Sequence, residues 1–338
     1  MQKHQKTIRR FWQQGMAALL ALTLAACGSD DTATPPEEAW QPWQFAITTD
    51  GLTRGMPETT LSKSVGMAAY VFENGGALGA PDYMWNEEVT KSGTGWCTSN
   101  GYAKPQTDKS IKFLAYYPYT AQSGTPAILL SDNTTAGPLA ITYEVPQDVA
   151  DQQDVMTGES AVLSTSDRND LVQMTLHHRL SAIQFVTGDI GLSGKIKSIS
   201  LKNIHKKGTY RLGDNAWTLQ GGTNGVSFTV SPDYVVEHIT LASDADGRQP
   251  VATNENSFLM LPQAIPDDAK MVIEYEATID GTTAVHTLEA NLKNSTVPEW
   301  QWGKIYTYQI SVVSLALEYE VVVHDWELGG VTDVQMKI

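Results

Sequence analysis

The chain has 338 residues, 38 acidic against 23 Lys and Arg, a net charge of −15 at pH 7, and 2 cysteines. Such an acidic surface excludes nucleic-acid binding through the net field and is repelled by anionic lipid. The length is ample for a buried core, and the cysteine count rules out a disulfide-rich scaffold.

In chain order, Lys3, Lys6, Arg9 and Arg10 form a basic start, and Met16 to Ala26 is an apolar run too short to span a bilayer as a helix. Leu24-Ala25-Ala26-Cys27 follows, and residues 1–26 are expected to be a lipoprotein signal peptide. Small side chains precede the expected cut, and Cys27 is expected to take the lipid as a thioether, which would make the outer membrane its first partner. Gly28-Ser29-Asp30-Asp31 resembles the acidic tag of surface-exported lipoproteins in Bacteroidetes-type bacteria. Removal of the signal leaves 312 residues with 19 basic and 38 acidic side chains. No later stretch is apolar enough to span a membrane, so attachment rests on a multiply acylated Cys27. With Cys27 lipidated, Cys97 has no disulfide partner and is expected to be a quiet, partly buried thiol. Residues 27–43, with Pro35-Pro36-Glu37-Glu38, are expected to be a tether.

Strand signals then recur without helical periodicity. Gln44–Thr49 alternates Phe45 and Ile47 onto one face. A loop follows, Asp50 to Pro57, with Arg54 at its middle in reach of a trypsin-like protease. Val65–Phe72, Tyr83–Trp85, Ile111–Tyr117, Leu139–Val145 and Leu171–Leu176 are further short β-branched or aromatic runs, divided by Gly, Pro, Asp and Asn clusters. Ser164–Asp170 breaks the apolar pattern and marks a boundary between a first domain, 44–166, and a second, 167–338. In the second, Met271–Ile279 alternates as a half-buried strand, and Asp280-Gly281 signals a type I′ hairpin. Ile199–Leu201, Tyr306–Val312 and Leu315–Val323 behave likewise. Many short strands with this punctuation predict an all-β chain of sandwiches or barrels.

No catalytic motif is present: there is no Gly-x-Ser-x-Gly elbow, phosphate-cradling glycine loop or His-Glu-x-x-His. The chain is therefore expected not to be an enzyme, and to carry neither metal nor cofactor. Neighbouring His177 and His178 point to opposite faces of a strand, which disfavours a shared ion. Asp148, Asp151 and Asp154 lack the glycine and spacing of a calcium loop. Tyr83, Trp85, Trp96 and Tyr102 could stack on sugar rings or fill a core. Lys195, Lys197, Lys202, Lys206, Lys207 and Arg211 form a basic cluster, either a solvent face or a surface for a neighbour's acidic patch.

Five stretches together resemble the fimbrillin family of Bacteroidales-type bacteria, whose members build, cap or anchor type V pili. They are Phe113-Leu114-Ala115-Tyr116-Tyr117-Pro118-Tyr119, Leu176-His177-His178-Arg179-Leu180-Ser181-Ala182-Ile183, Phe258-Leu259-Met260-Leu261-Pro262-Gln263, Trp302-Gly303-Lys304-Ile305-Tyr306-Thr307-Tyr308 and Val323-His324-Asp325-Trp326. The resemblance implies two tandem transthyretin-like Greek-key β-sandwich domains and a non-enzymatic subunit that supports adhesion. It implies export on the Cys27 lipid and a cut between Arg54 and Gly55 by an Arg-specific or trypsin-like protease. Loss of Gln44–Thr49 would then open a groove that a neighbouring fimbrillin subunit fills with a C-terminal strand, either Leu315–Val323 or Val331–Ile338, the latter beyond a Gly329-Gly330 swivel. The location expected is the outer membrane surface and then the fimbrium, facing host or bacterial glycan or protein receptors. The alternatives are an uncleaved pilus anchor or tip protein, or a lipid-anchored glycan-binding protein with an exposed platform at Trp85 or Trp96.

Overall fold

The computed structural model describes residues 41–49, 61–103, 105, 108–165, 171–238 and 248–326. Cys27, Arg54, Gly55, Gly329-Gly330 and Val331–Ile338 lie outside the described residues. In the first half the strands are β1 (Gln44–Thr49), β2 (Val65–Glu73), β3 (Met84–Ser92), β4 (Gly95–Thr98), β5 (Lys109–Tyr117), β6 (Ile128–Leu130), β7 (Ala140–Glu144), β8 (Met156–Glu159), β9 (Leu163–Ser164) and β10 (Val172–His178). The second half adds β11 (Ser181–Ile190), β12 (Gly194–Lys202), β13 (Lys207–Arg211), β14 (Trp217–Gln220), β15 (Ser227–Val230), β16 (Tyr234–Val236), β17 (Pro250–Ala252) and β18 (Phe258–Met260). The chain ends with β19 (Gln263–Ala264), β20 (Lys270–Ile279), β21 (Thr282–Asn291), β22 (Glu299–Trp300), β23 (Lys304–Val313) and β24 (Ala316–Asp325). Among the described residues the helical pieces are short 3-10 turns, such as Val149–Asp151, and no helix is long and apolar enough to cross a membrane. The chain is all-β, as its sequence predicts.

The strands of the first half run β2-β3-β4-β1-β10-β8-β5, and β5 pairs back onto β2, so the sheet closes into a ring. Trp43, Phe45, Met67, Phe113, Met174 and Leu176 fill its interior. Ala68, Tyr70, Leu114 and Tyr116 point the other way, into a second core shared with Ile141, Tyr143, Ile183, Phe185 and Tyr308. Both faces of β2 and β5 are thus buried, which explains their unbroken apolar runs. The strand Val172–His178, which follows the sequence break near 164–170, lies in this ring.

Past β10 the chain builds two five-stranded sheets, β17-β11-β23-β24 with β18, and β15-β12-β20-β21 with β16. Their inward residues, among them Phe185, Tyr308, Ile199 and Ile273, share one core in sandwich fashion. A four-stranded sheet, β14-β13-β7-β6, joins the two halves, with Glu144 opposite Lys207 and Ala140 opposite Arg211. The β20–β21 hairpin turns on Asp280 (φ 51°) and Gly281 (φ 76°), the doubly positive φ that the Asp-Gly pair predicts.

Candidate functional site

β1 is a single six-residue strand threaded between two unlike neighbours. It runs parallel to β10, from Phe45 opposite Val172 to Thr49 opposite Leu176. On its other side it is antiparallel to β4, with Gln44 opposite Cys97 and Phe45 opposite Trp96. Side chains alternate along β1 and from the residue just ahead of it, so Trp43 and Phe45 go inward at 5% and 0% exposure while Gln44 and Thr48 stay outside. Phe113 receives both rings edge to face, at 4.9 Å from Trp43 and 5.2 Å from Phe45.

The entry to β1 is clamped by polar contacts. The Trp43 N–H donates to Thr98 Oγ1 (3.0 Å), and the Thr98 N–H returns to the Trp43 carbonyl (3.1 Å). The Trp43 indole N–H donates to the Tyr83 hydroxyl at 3.0 Å, which donates on to the Ala103 carbonyl at 2.9 Å. Gln41 and Tyr102 bridge through their backbones. Behind them the buried Glu87 carboxylate accepts from the Asn100 backbone N–H (2.9 Å), the Asn100 carboxamide (2.8 Å) and the Tyr102 hydroxyl (2.7 Å). Burial, then the Glu87 hydrogen bond and charge, raise the Tyr102 phenol well above its ordinary pKa.

Withdrawing β1 would remove two aromatic side chains of roughly 150–250 Å² each from the interior. At about 25 cal/mol per Å² that is roughly 8–12 kcal/mol of gross burial, comparable with the whole net stability of a domain. It would also open the ring between β4 and β10, leaving two rows of backbone donors and acceptors unpaired.

The other residues singled out in the sequence fall into structural roles. Trp96 is buried, and Trp85 is half-buried with its indole N–H on the Ser131 carbonyl (3.0 Å), so neither forms the open platform that the glycan-binding alternative needs at those positions. Tyr83 and Tyr102 tilt against each other at 5.5 Å in the β1 clamp. Lys195 and Lys197 pair with Asp233, Lys206 and Lys207 with Glu144, and Arg211 with Asp214, so most of the basic cluster is satisfied within the chain. Cys97 is a half-buried free thiol on β4.

Asp148 caps a 3-10 turn by accepting the Ala150 N–H (3.0 Å), whereas Asp154 is buried against His178, so the aspartates do not converge on an ion. His177 is half-exposed and His178 buried. His178 Nδ1 lies 2.8 Å from Asp154 Oδ2 without hydrogen-bond alignment, and its ring stacks on Trp326 at 4.0 Å and 11°. Trp326 donates its backbone N–H to Gly303 (2.7 Å), whose own N–H donates to Leu180 (3.0 Å). Three stretches distant in sequence thus meet at the end of β10. Sequence reasoning missed this junction, because neither the stacking partner nor Asp154 is near His178 in the chain.

A ring with a separately threaded first strand, followed by a two-sheet sandwich, defines an all-β protein of the sandwich class. The fimbrillin-like family model matches residues 53–326, and the chain belongs to that family. The fimbrium subunit Fim1C of Phocaeicola vulgatus is 23% identical over 309 residues, covering 83% of this chain and 77% of that protein. The crystal structure of a fimbrial protein from Bacteroides vulgatus ATCC 8482 has a TM-score of 0.62 at 18% identity, covering 84% of this chain and 99% of that one. A Bacteroides uniformis ATCC 8492 structure has a TM-score of 0.52 at 18% identity, covering 86% of this chain and 99% of its own.

Proposed function

We propose that the chain is a structural subunit of a surface fimbria, exported as a lipoprotein on Cys27, cut between Arg54 and Gly55, and polymerised by exchange of β1 for a strand of a neighbouring subunit. The observation that carries this reading is the position of β1 in the ring. It is held between β4 and β10 by its own ladders and by the Trp43 and Phe45 rings, and it is the first strand of the chain's described part. A cut at Arg54 would free it from everything that follows. Strand addition would then supply main-chain hydrogen bonds, with the vacated Trp43 and Phe45 positions as side-chain pockets.

Of the two donor candidates, Leu315–Val323 falls within β24 but for Leu315 in the turn before it, and β24 makes a ten-pair ladder with β23, from Lys304–Asp325 to Val313–Ala316. Its end is fixed by Trp326, buried and stacked on His178. Donation from β24 would dismantle a formed hairpin. Val331–Ile338 is the donor in this reading, because Val334, Met336 and Ile338 alternate as a groove-filling strand must. The subunit so read is a tandem transthyretin-like pair divided near 166/167, with Val172–His178 contributed to the first unit's ring. A polymer of such subunits at the cell surface supports adhesion.

The test is assembly in vitro. Trypsin added to the purified chain should yield ladders of polymer, and Arg54→Ala should leave a monomer under the same treatment. Equal polymerisation of Arg54→Ala would remove the cut from the mechanism.

A further inference from the structure

A surface cleft of about 580 Å³ opens on the second half of the molecule, at β14, β22 and the start of β23. It shares no element with the seat of β1, so its use does not depend on strand exchange. Trp217 and Trp302 line it, both half-buried. Trp217 turns its polar edge inward, its indole N–H donating to the Arg179 carbonyl at 2.7 Å. The buried Arg179 guanidinium lies 4.7 Å from the centre of the Trp302 ring and covers it from within. The surface that Trp217 leaves to the cleft is therefore chiefly aromatic carbon.

Polar groups with fixed partners surround these rings. Gln301 is exposed and donates its carboxamide Nε2–H to Glu299 Oε1 at 2.8 Å. Lys304 and Asp325 form an ion pair on the same cleft. The volume lies within the roughly 300–1,000 Å³ of small-molecule sites. Two carboxylates against one ammonium, in a chain of net charge −15, disfavour phosphates, sulfates and acidic sugars. A purely apolar ligand would strip water from the ring of charges without replacing it. What fits is a molecule with a flat C–H face for the indoles and hydroxyls that both donate and accept.

We propose that this cleft binds an uncharged saccharide, with Trp302 and Trp217 as the stacking surface and Gln301, Glu299, Lys304 and Asp325 as hydroxyl partners. The sequence hid the site because Trp217 and Trp302 lie far apart in the chain and each looks like an ordinary sheet aromatic.

The experiment titrates the full chain with lactose, N-acetyllactosamine, cellobiose and maltotriose, and with sialyllactose and inorganic phosphate as anionic controls. Saturation-transfer NMR and tryptophan fluorescence provide the readouts. A saturable response to at least one uncharged probe is expected, weakened roughly tenfold or more in Trp302→Ala. Because Trp302 also packs on Arg179, the exposed variants Gln301→Ala and Glu299→Ala are tested beside it, and they should weaken binding with unchanged thermal melts. No saturable response to any uncharged probe, a response confined to the anionic probes, or wild-type binding by the Gln301 and Glu299 variants would each overturn the proposal.

Discussion

Replacing Phe45 by Ala separates the role of β1 before the cut from its role after it. The ring is fully buried and sits edge to face on Phe113 at 5.2 Å, in the middle of the first core. A Phe→Ala truncation at such a site costs roughly 3–5 kcal/mol, the transfer of the lost atoms plus the cavity they leave. In a chain of this size that lowers the melting temperature by roughly 5–15 °C. The uncut precursor should show this loss in urea and thermal unfolding. Under the proposed strand exchange the polymer formed after cleavage should not, because β1 would by then have been replaced by another strand. Wild-type and Phe45→Ala polymers should therefore dissociate at the same temperature. If the polymer is weakened as much as the precursor, β1 stays in the assembled subunit and exchange at this position is wrong. A precursor weakened by less than about 1 kcal/mol would refute the packing argument itself.

Three further outcomes follow from other sites. Asp154→Ala strands the buried His178 imidazole and should cost roughly 1–3 kcal/mol in urea denaturation, and adding His178→Leu should recover part of it; a double-mutant loss equal to the sum of the Asp154→Ala and His178→Leu losses would show that the pair is not coupled. Hydrogen bonds from the Thr134 side chain and backbone, then from Thr135, hold Asp132 down to about 2. A depressed carboxyl contributes stability above its unfolded pKa of about 3.9 and loses it as pH falls toward about 2, so a carboxyl NMR titration should place the midpoint there and Thr134→Ala should raise it. Deleting residues 331–338 should give a subunit that accepts a strand but cannot donate one; its incorporation at the donor end of mixed polymers would place the donor elsewhere.

The legible parts of the fold are those whose cause is local. Gln44–Thr49 forms a strand over the range its alternation predicts, and Asp280-Gly281 turns with positive φ at both residues. β3 is the counter-example. The sequence supports only Tyr83–Trp85, but the strand continues to Ser92, through Asn86 at φ 50° and a Glu87 that is buried. Glu87 breaks the apolar pattern because its partners, Asn100 and Tyr102, lie across a later turn. Closure of the ring by β5 on β2, and the β7–β13 pairing between the halves, are equally nonlocal. The sequence leaves the basic cluster from Lys195 to Arg211 open between a solvent face and a surface for a neighbour, because Asp233 and Glu144, which pair with four of its lysines, are distant in sequence. At the candidate site, Phe45 and Ile47 marked the strand, but nothing in the chain foretold that it would be parallel to β10 and enclosed by Thr98, Tyr83 and Phe113.

The most direct test of strand exchange is mass spectrometry of the N-terminus of the protein taken from its native cell surface. Strand exchange requires polymeric subunits beginning at Gly55, with Cys27 and β1 gone. Polymers made of chains that begin at acylated Cys27 would contradict it and make this subunit a permanently anchored one.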